Sequence, residues 1–249
     1  MAGHSKWKQI KRKKAVTDAR RGATFTKLIR EITIAARQGG GDPAGNARLR
    51  TAIEAARAEN MPFENIDRAV KKGTGELEGV QYEEVTYEGY GPGGAALLVE
   101  AITDNANRTV AEVRHVFTRY GGNLGAANSV AWMFDRKAQI TVDAARADED
   151  TTLEAALDAG ADDVVRDGDT FLITAPVAQL RTVQDGLKAR QIAVQTAEIV
   201  MLPKSSVKVD GKDAASLLRL IEALEEMDDV AKVHSNFDID AEAMAAVTE

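Results

Sequence analysis

The chain has no cysteine among its 249 residues. Disulfides, thiolate nucleophiles, zinc knuckles and iron–sulfur ligation are therefore excluded. Aromatic residues are sparse, at 5%, so any stacking surface must rest on few side chains. The three histidines, His4, His115 and His234, stand apart and offer no paired spacing for a catalytic metal. No Walker sequence is present, which leaves nucleotide hydrolysis without support. No apolar run approaches the roughly 20 residues needed to span a bilayer, so no membrane partner is expected. The polar opening, Met-Ala-Gly-His-Ser-Lys-Trp-Lys, lacks an apolar signal core, and a cytoplasmic location is expected.

What the chain does have is charge, divided unevenly along its length. Lys6, Lys8, Lys11, Arg12, Lys13, Lys14, Arg20, Arg21, Lys27 and Arg30 face a single acid, Asp18, in the first thirty residues. Through Thr74 there are 17 basic and 7 acidic residues, a net +10. The remainder holds 15 basic and 32 acidic residues, a net −17, and the whole-chain value of −7 hides this split. A cationic end on an acidic body points to a polyanionic partner. Lysines and arginines that meet phosphates release condensed counterions and give strong, salt-sensitive affinity. Trp7, set among the lysines, offers a face on which an exposed base can stack; otherwise it caps the helical core.

Periodicity divides the chain further. Phe25, Leu28, Ile29, Ile32 and Ala36 fall at helical spacing, with Lys27, Arg30 and Arg37 on the other face. Gly39 to Gly41 end that helix. A second helix is expected from about Asn46 to Glu59, and a third after Pro62, stopped by Gly73 and Gly75. From Tyr82 onward strands appear. Strand, helix and strand are expected at 95–102, 107–120 and 130–134, and again at 207–209, 214–224 and 231–236. Between these halves lies a full β-α-β-β-α-β set. The expected fold class is α+β: an N-terminal helical domain followed by two ferredoxin-like α/β domains, one inserted in the other. The expected boundaries are residues 1–79, 80–136 joined to 204–242, and 137–203.

Two motifs carry candidate contacts or imitate them. Asp104-Asn105-Ala106-Asn107-Arg108-Thr109 lies between a strand and a helix. With Asn107 or Thr109 as the helix cap, Asn105 and Arg108 are left to meet a partner; alternatively all four polar groups serve the turn. Gly89-x-Gly91-x-x-Gly94 matches a dinucleotide fingerprint in form, but a strand follows where a helix should open. A glycine-rich turn, or a hinge between the helical and α/β parts, is expected instead. The acidic clusters at 148–150, 162–163 and 228–229 suit a helix start and turns rather than metal-ion catalysis. No catalytic residue, metal or cofactor is expected.

Several stretches together resemble the YebC family: Gly3-His4-Ser5-Lys6-Trp7, Phe25-Thr26-Lys27-Leu28-Ile29-Arg30-Glu31-Ile32, Asp42-Pro43 with Asn46, Asn60-Met61-Pro62, Tyr87-Glu88-Gly89-Tyr90-Gly91-Pro92-Gly93-Gly94, Thr103-Asp104-Asn105 with Asn107-Arg108-Thr109, and Gly121-Gly122-Asn123-Leu124-Gly125. One departure is Ala127-Asn128 before Ser129, where a glycine is expected next to the serine. The resemblance implies a helical first domain, two α/β domains and no catalytic activity. It also implies two roles: promoter-binding regulators of transcription, and ribosome-associated factors that help synthesis through proline runs. The expected partner is thus ribosomal RNA or tRNA on the ribosome, or else promoter DNA.

Overall fold

A computed structural model of the chain describes residues 18–240, with the side chains of residues 22–240. Three helices come first: α1 (Asp18–Gly39), α2 (Ala47–Ala58) and α3 (Phe63–Thr74). Their apolar faces meet in one cluster. Ile32, Ala35 and Ala36 of α1 pack against Leu49, Ile53 and Ala56 of α2 and Ile66 and Ala69 of α3. Each fully buried Leu or Ile contributes about 1.5–3 kcal/mol relative to exposure. Gly73 does not stop α3, as its residue type suggests; the helix runs on to Thr74 and ends at Gly75 in a left-handed conformation, φ 83°. Gly73 serves close approach instead. A Cβ there would lie 2.4 Å from the carbonyl oxygen of Thr33 on α1.

Residues 132–206 form one compact unit and the remaining described residues the other. The second unit contains the three helices and the outer α/β region. That region comprises β1 (Glu83–Tyr90), β2 (Ala96–Thr103), α4 (Ala106–Arg119), the short β3 (Asn123–Leu124) and, after the insertion, β8 (Val207–Lys208), α7 (Gly211–Glu226), β9 (Val230–Ser235) and β10 (Phe237–Asp238). Its main sheet runs β3-β1-β2-β9, antiparallel throughout. The inserted unit comprises β4 (Phe134–Asp143), α5 (Glu149–Asp158), β5 (Asp163–Asp167), β6 (Thr170–Ala175), α6 (Leu180–Ala189) and β7 (Val194–Pro203), with strand order β5-β6-β4-β7. This is the ferredoxin-like arrangement, and it sits within the chain of the outer one.

The outer sheet follows a different chain path: its strands lie third-first-second-fourth across the sheet, against second-third-first-fourth in the inserted one. Here β1, first in sequence, fills the place that β6 takes in the inserted sheet. A tight hairpin makes this possible, with Gly93 (φ 72°) and Gly94 (φ 77°) turning β1 directly into β2. The Gly89–Gly94 run therefore closes a hairpin inside one sheet and is not a hinge between helical and α/β parts. The strand expected at 130–134 is also absent as a unit. Residues 131–133 form a 3-10 turn, and Phe134 already belongs to β4. The cause is Glu88, only 7% exposed, whose carboxylate accepts from the N–H groups of Asn128, Val130 and Ala131 at 2.7–2.8 Å. Amides spent on a carboxylate cannot build a ladder. Burial works against the Glu88 charge, but these N–H donors hold its pKa below the ordinary value. Asn128 sits at φ 65°, which explains why a glycine is expected nearby; Asn is the next-best residue for that conformation. The segment 207–209 does not join the main sheet, since β8 pairs only with β10, in parallel.

No helix among the described residues is long and apolar enough to cross a membrane.

Candidate nucleic-acid interface and its clasp

Lys6, Trp7, Lys8, Lys11, Arg12, Lys13 and Lys14 lie outside the described residues. Arg20 and Arg21 fall in the first turn of α1, and their side chains are not described. Lys27 and Arg30, one turn apart further along α1, are described, and both turn inward. The Lys27 ammonium donates to the carbonyl of Glu225 at the end of α7. The Arg30 Nη1 donates to the Asp228 carbonyl at 2.6 Å and to Asp229 Oδ1 at 2.5 Å. Its side chain is 13% exposed. The helix face that reads as cationic from sequence is thus used to fasten α1 to the α/β region.

Asp229 is the hub of that fastening and is 5% exposed. Its Oδ2 lies 2.7 Å from Arg108 Nη2, 2.7 Å from Thr109 Oγ1 and 3.1 Å from Thr103 Oγ1. Burial disfavours the charge, but Arg108, Thr109, Arg30 and Thr103 outweigh it and bring the carboxyl pKa down to about 2. Asn105 caps α4, its side chain accepting from the Arg108 N–H at 3.1 Å; neither Asn107 nor Thr109 fills that role. Arg108 binds Asp104 and Asp229 at 2.8 and 2.7 Å, which raises its pKa further. The motif at 104–109 therefore supplies a helix cap through Asn105 and a clasp through Arg108 and Thr109, with the Arg108 side chain still 43% exposed. Asp229 itself follows no motif; nothing in the sequence distinguishes it from Asp228 as the residue that reaches two arginines.

A second clasp holds the helices from the side of α2. Arg48 binds both carboxylate oxygens of Glu31 at 2.8 and 3.0 Å and Glu84 of β1 at 2.5 Å. Gln38 bridges the same pair, accepting from Arg48 and donating to Glu84, each at 2.7 Å. Burial lowers the Arg48 pKa, but the two glutamates more than reverse this; Glu84 is in turn held below the ordinary carboxylate value by Arg48. Arg50 donates to the carbonyl of Pro43 at 2.9 Å. Elsewhere on α2 and α3, Arg57, Arg68 and Lys72 form no ion pair with any described residue. No group of three or more His, Asp or Glu side chains among the described residues is placed to hold a metal ion.

Fold and clasp together define a class: a three-part α+β protein whose basic helical segment is locked to one ferredoxin-like region, with a second such unit inserted in that region's chain. Two family models cover nearly all of it. One, described as the TACO1/YebC protein N-terminal domain, matches residues 5–76. The other, the TACO1/YebC second and third domain, matches residues 82–237. The chain belongs to the TACO1/YebC family. Relatives called "Probable transcriptional regulatory protein" include one from Gemmatimonas aurantiaca, 59% identical over 98% of this chain and 99% of its own. Another, from Desulfotalea psychrophila, is 56% identical over the full length of both. The crystal structure of a conserved hypothetical protein from Aquifex aeolicus is 50% identical and superposes with a TM-score of 0.83, covering 90% of this chain and 92% of that one.

Proposed function

We propose that the chain is a non-enzymatic, nucleic-acid-binding regulator of gene expression, and that it acts as a translation factor docking on ribosomal RNA and tRNA to ease synthesis of difficult sequences such as proline runs. The observation that carries this reading is the charge division, +10 through residue 74 against −17 beyond it. An acidic body with one cationic end suits insertion into a phosphate-lined cleft, where the body is repelled and the end is drawn in. The fate of α2 adds support. A major-groove reader needs Arg, Asn or Gln side chains free to reach base edges. Arg48 and Arg50 are bonded within the chain and only Arg57 of the α2 arginines stays exposed without an ion pair to a described residue; one side chain offers little base readout, which leaves phosphate contacts as the main source of affinity.

The names of the relatives favour a second reading, duplex DNA at promoters. One comparison separates the two. At physiological salt the protein is expected to co-sediment with the large ribosomal subunit, and Lys11/Arg12/Lys13/Lys14→Glu is expected to abolish this. Sequence-selective binding to duplex DNA that survives excess competitor, without ribosome association, would replace the first reading with the second.

A further inference from the structure

The outer α/β region carries cations that the clasp does not use. Of its described lysines and arginines, Arg108 is paired with Asp104 and Asp229, and Lys208 with Asp240; Lys232 also has a partner. Arg114, Arg119, Lys212 and Arg219 form no ion pair with any described residue. All four are exposed, and all four lie on α4 or α7, the two helices that cover one face of the sheet.

We infer that this helical layer is a second phosphate-contacting surface for RNA, centred on Arg114 and Arg119 of α4 and Arg219 of α7. The inference rests on the reading above and extends it from the cationic arm, Lys6 to Arg21, to the α/β region. Geometry supports it in three ways. Val113 and Phe117 face the core, so Arg114 and Arg119 border the opposite, solvent-facing arc of α4. Between them lie Ala111, His115 and Thr118, none of them acidic, and Glu112 is the single acid on that arc. The Arg119 guanidinium stands 5.5 Å over the Tyr120 ring, which orders it before any ligand arrives. Leu220 of α7 approaches Gly122, just beyond α4, which places the adjacent Arg219 toward the same end as Arg119.

The clasp gives this surface a fixed relation to α1. Asp229 holds Arg30 of α1 and Arg108 in the first turn of α4 on its two oxygens. At 1.5 Å per residue, Arg114 and Arg119 lie about 9 and about 16 Å along α4 from Arg108. A nucleic acid that reaches α1 therefore meets a compact unit in which α4 is already positioned. The acids of α7 gather mainly in its last turns, at Glu222, Glu225 and Glu226, where Lys27 docks.

The test is the salt dependence of binding to isolated large ribosomal subunits, read for the full chain, for Arg114→Gln/Arg119→Gln/Arg219→Gln, and for the four-residue Glu substitution of the arm. Each lost phosphate contact lowers the slope of log affinity against log salt by about 1. The triple Gln variant is expected to fold normally by circular dichroism, to lose about 3 from the slope and to bind at least tenfold more weakly at physiological salt. An unchanged slope and affinity, with the arm variant still defective, would overturn the second surface while leaving the translation reading intact. Binding that survives the arm substitution would strike the reading itself.

Discussion

Asp229 gathers Arg30 from α1, Arg108 and Thr109 from α4, and Thr103 from the end of β2 onto one side chain. A carboxylate this enclosed is stable only as an anion, because its partners are two guanidiniums and hydroxyl donors. Its pKa of about 2 in the folded chain, against an ordinary 3.8, makes it a source of pH-dependent stability. The folded value is the lower one, so the contribution is complete above about pH 4 and fades as pH falls toward 2. A shift of this size corresponds to about 2 kcal/mol. Urea unfolding of the intact chain should show that loss between pH 4 and 2. Asp229→Asn should be less stable at neutral pH by about 3 kcal/mol, since it leaves Arg30 buried without a counter-charge, and its stability should fall less steeply across the acid window. Parallel curves for the two proteins would show that Asp229 is not the titrating group.

At the scale of elements, one side chain serves both the end of α1 and the start of α2. Asn46, 6% exposed, donates through Nδ2 to the Ala35 and Gly40 carbonyls at 2.7 and 2.9 Å and accepts on Oδ1 from the Leu49 N–H at 3.0 Å. It thus ends one helix and starts the next. Asn46→Ala is expected to cost about 2–4 kcal/mol, from a lost cap and two carbonyls without donors. Asn46→Asp keeps the cap but faces those carbonyls with a carboxylate, so chemical denaturation should find it nearly as damaging; full tolerance of Asp would reduce the role to an N-cap. Helices α1 to α3 and the inserted unit were legible because apolar residues recur at 3.6 or 2 residues and Gly or Pro marks their ends. Residues 130–134 misled because their β-rich composition competes with Glu88, a long-range partner that no local pattern reveals. The intrachain bonds of the α1 cations were hidden for the same reason. Lys27 and Arg30 look solvated in sequence, but their partners Glu225 and Asp229 lie about 200 positions away in the chain. Sequence shows which residues bear charge; the fold decides which of those charges are already spent.

For the whole molecule, that distinction sets how many cations remain for a partner. Lys27, Arg30, Arg48 and Arg50 are bonded within the chain and Lys71 pairs with Asp67. The remaining supply is dominated by the run from Lys6 to Arg21, with Arg57, Arg68 and Lys72 behind it. If about six of these meet phosphates, counterion release gives a slope near 5 in log affinity against log salt, a drop of about a thousandfold between 50 and 200 mM. The clasps respond differently. Asp229 is nearly buried, and ions screen buried pairs far less than exposed ones, so the fold should hold across that range. Binding to ribosomal subunits and thermal unfolding, measured at the same salt concentrations, should therefore separate, with affinity collapsing while the melting temperature stays almost level. A flat binding curve would mean docking through protein contacts rather than phosphates. A melting temperature that fell in step with affinity would mean that salt acts by opening the clasps, and that the cations of α1 are held in reserve rather than spent.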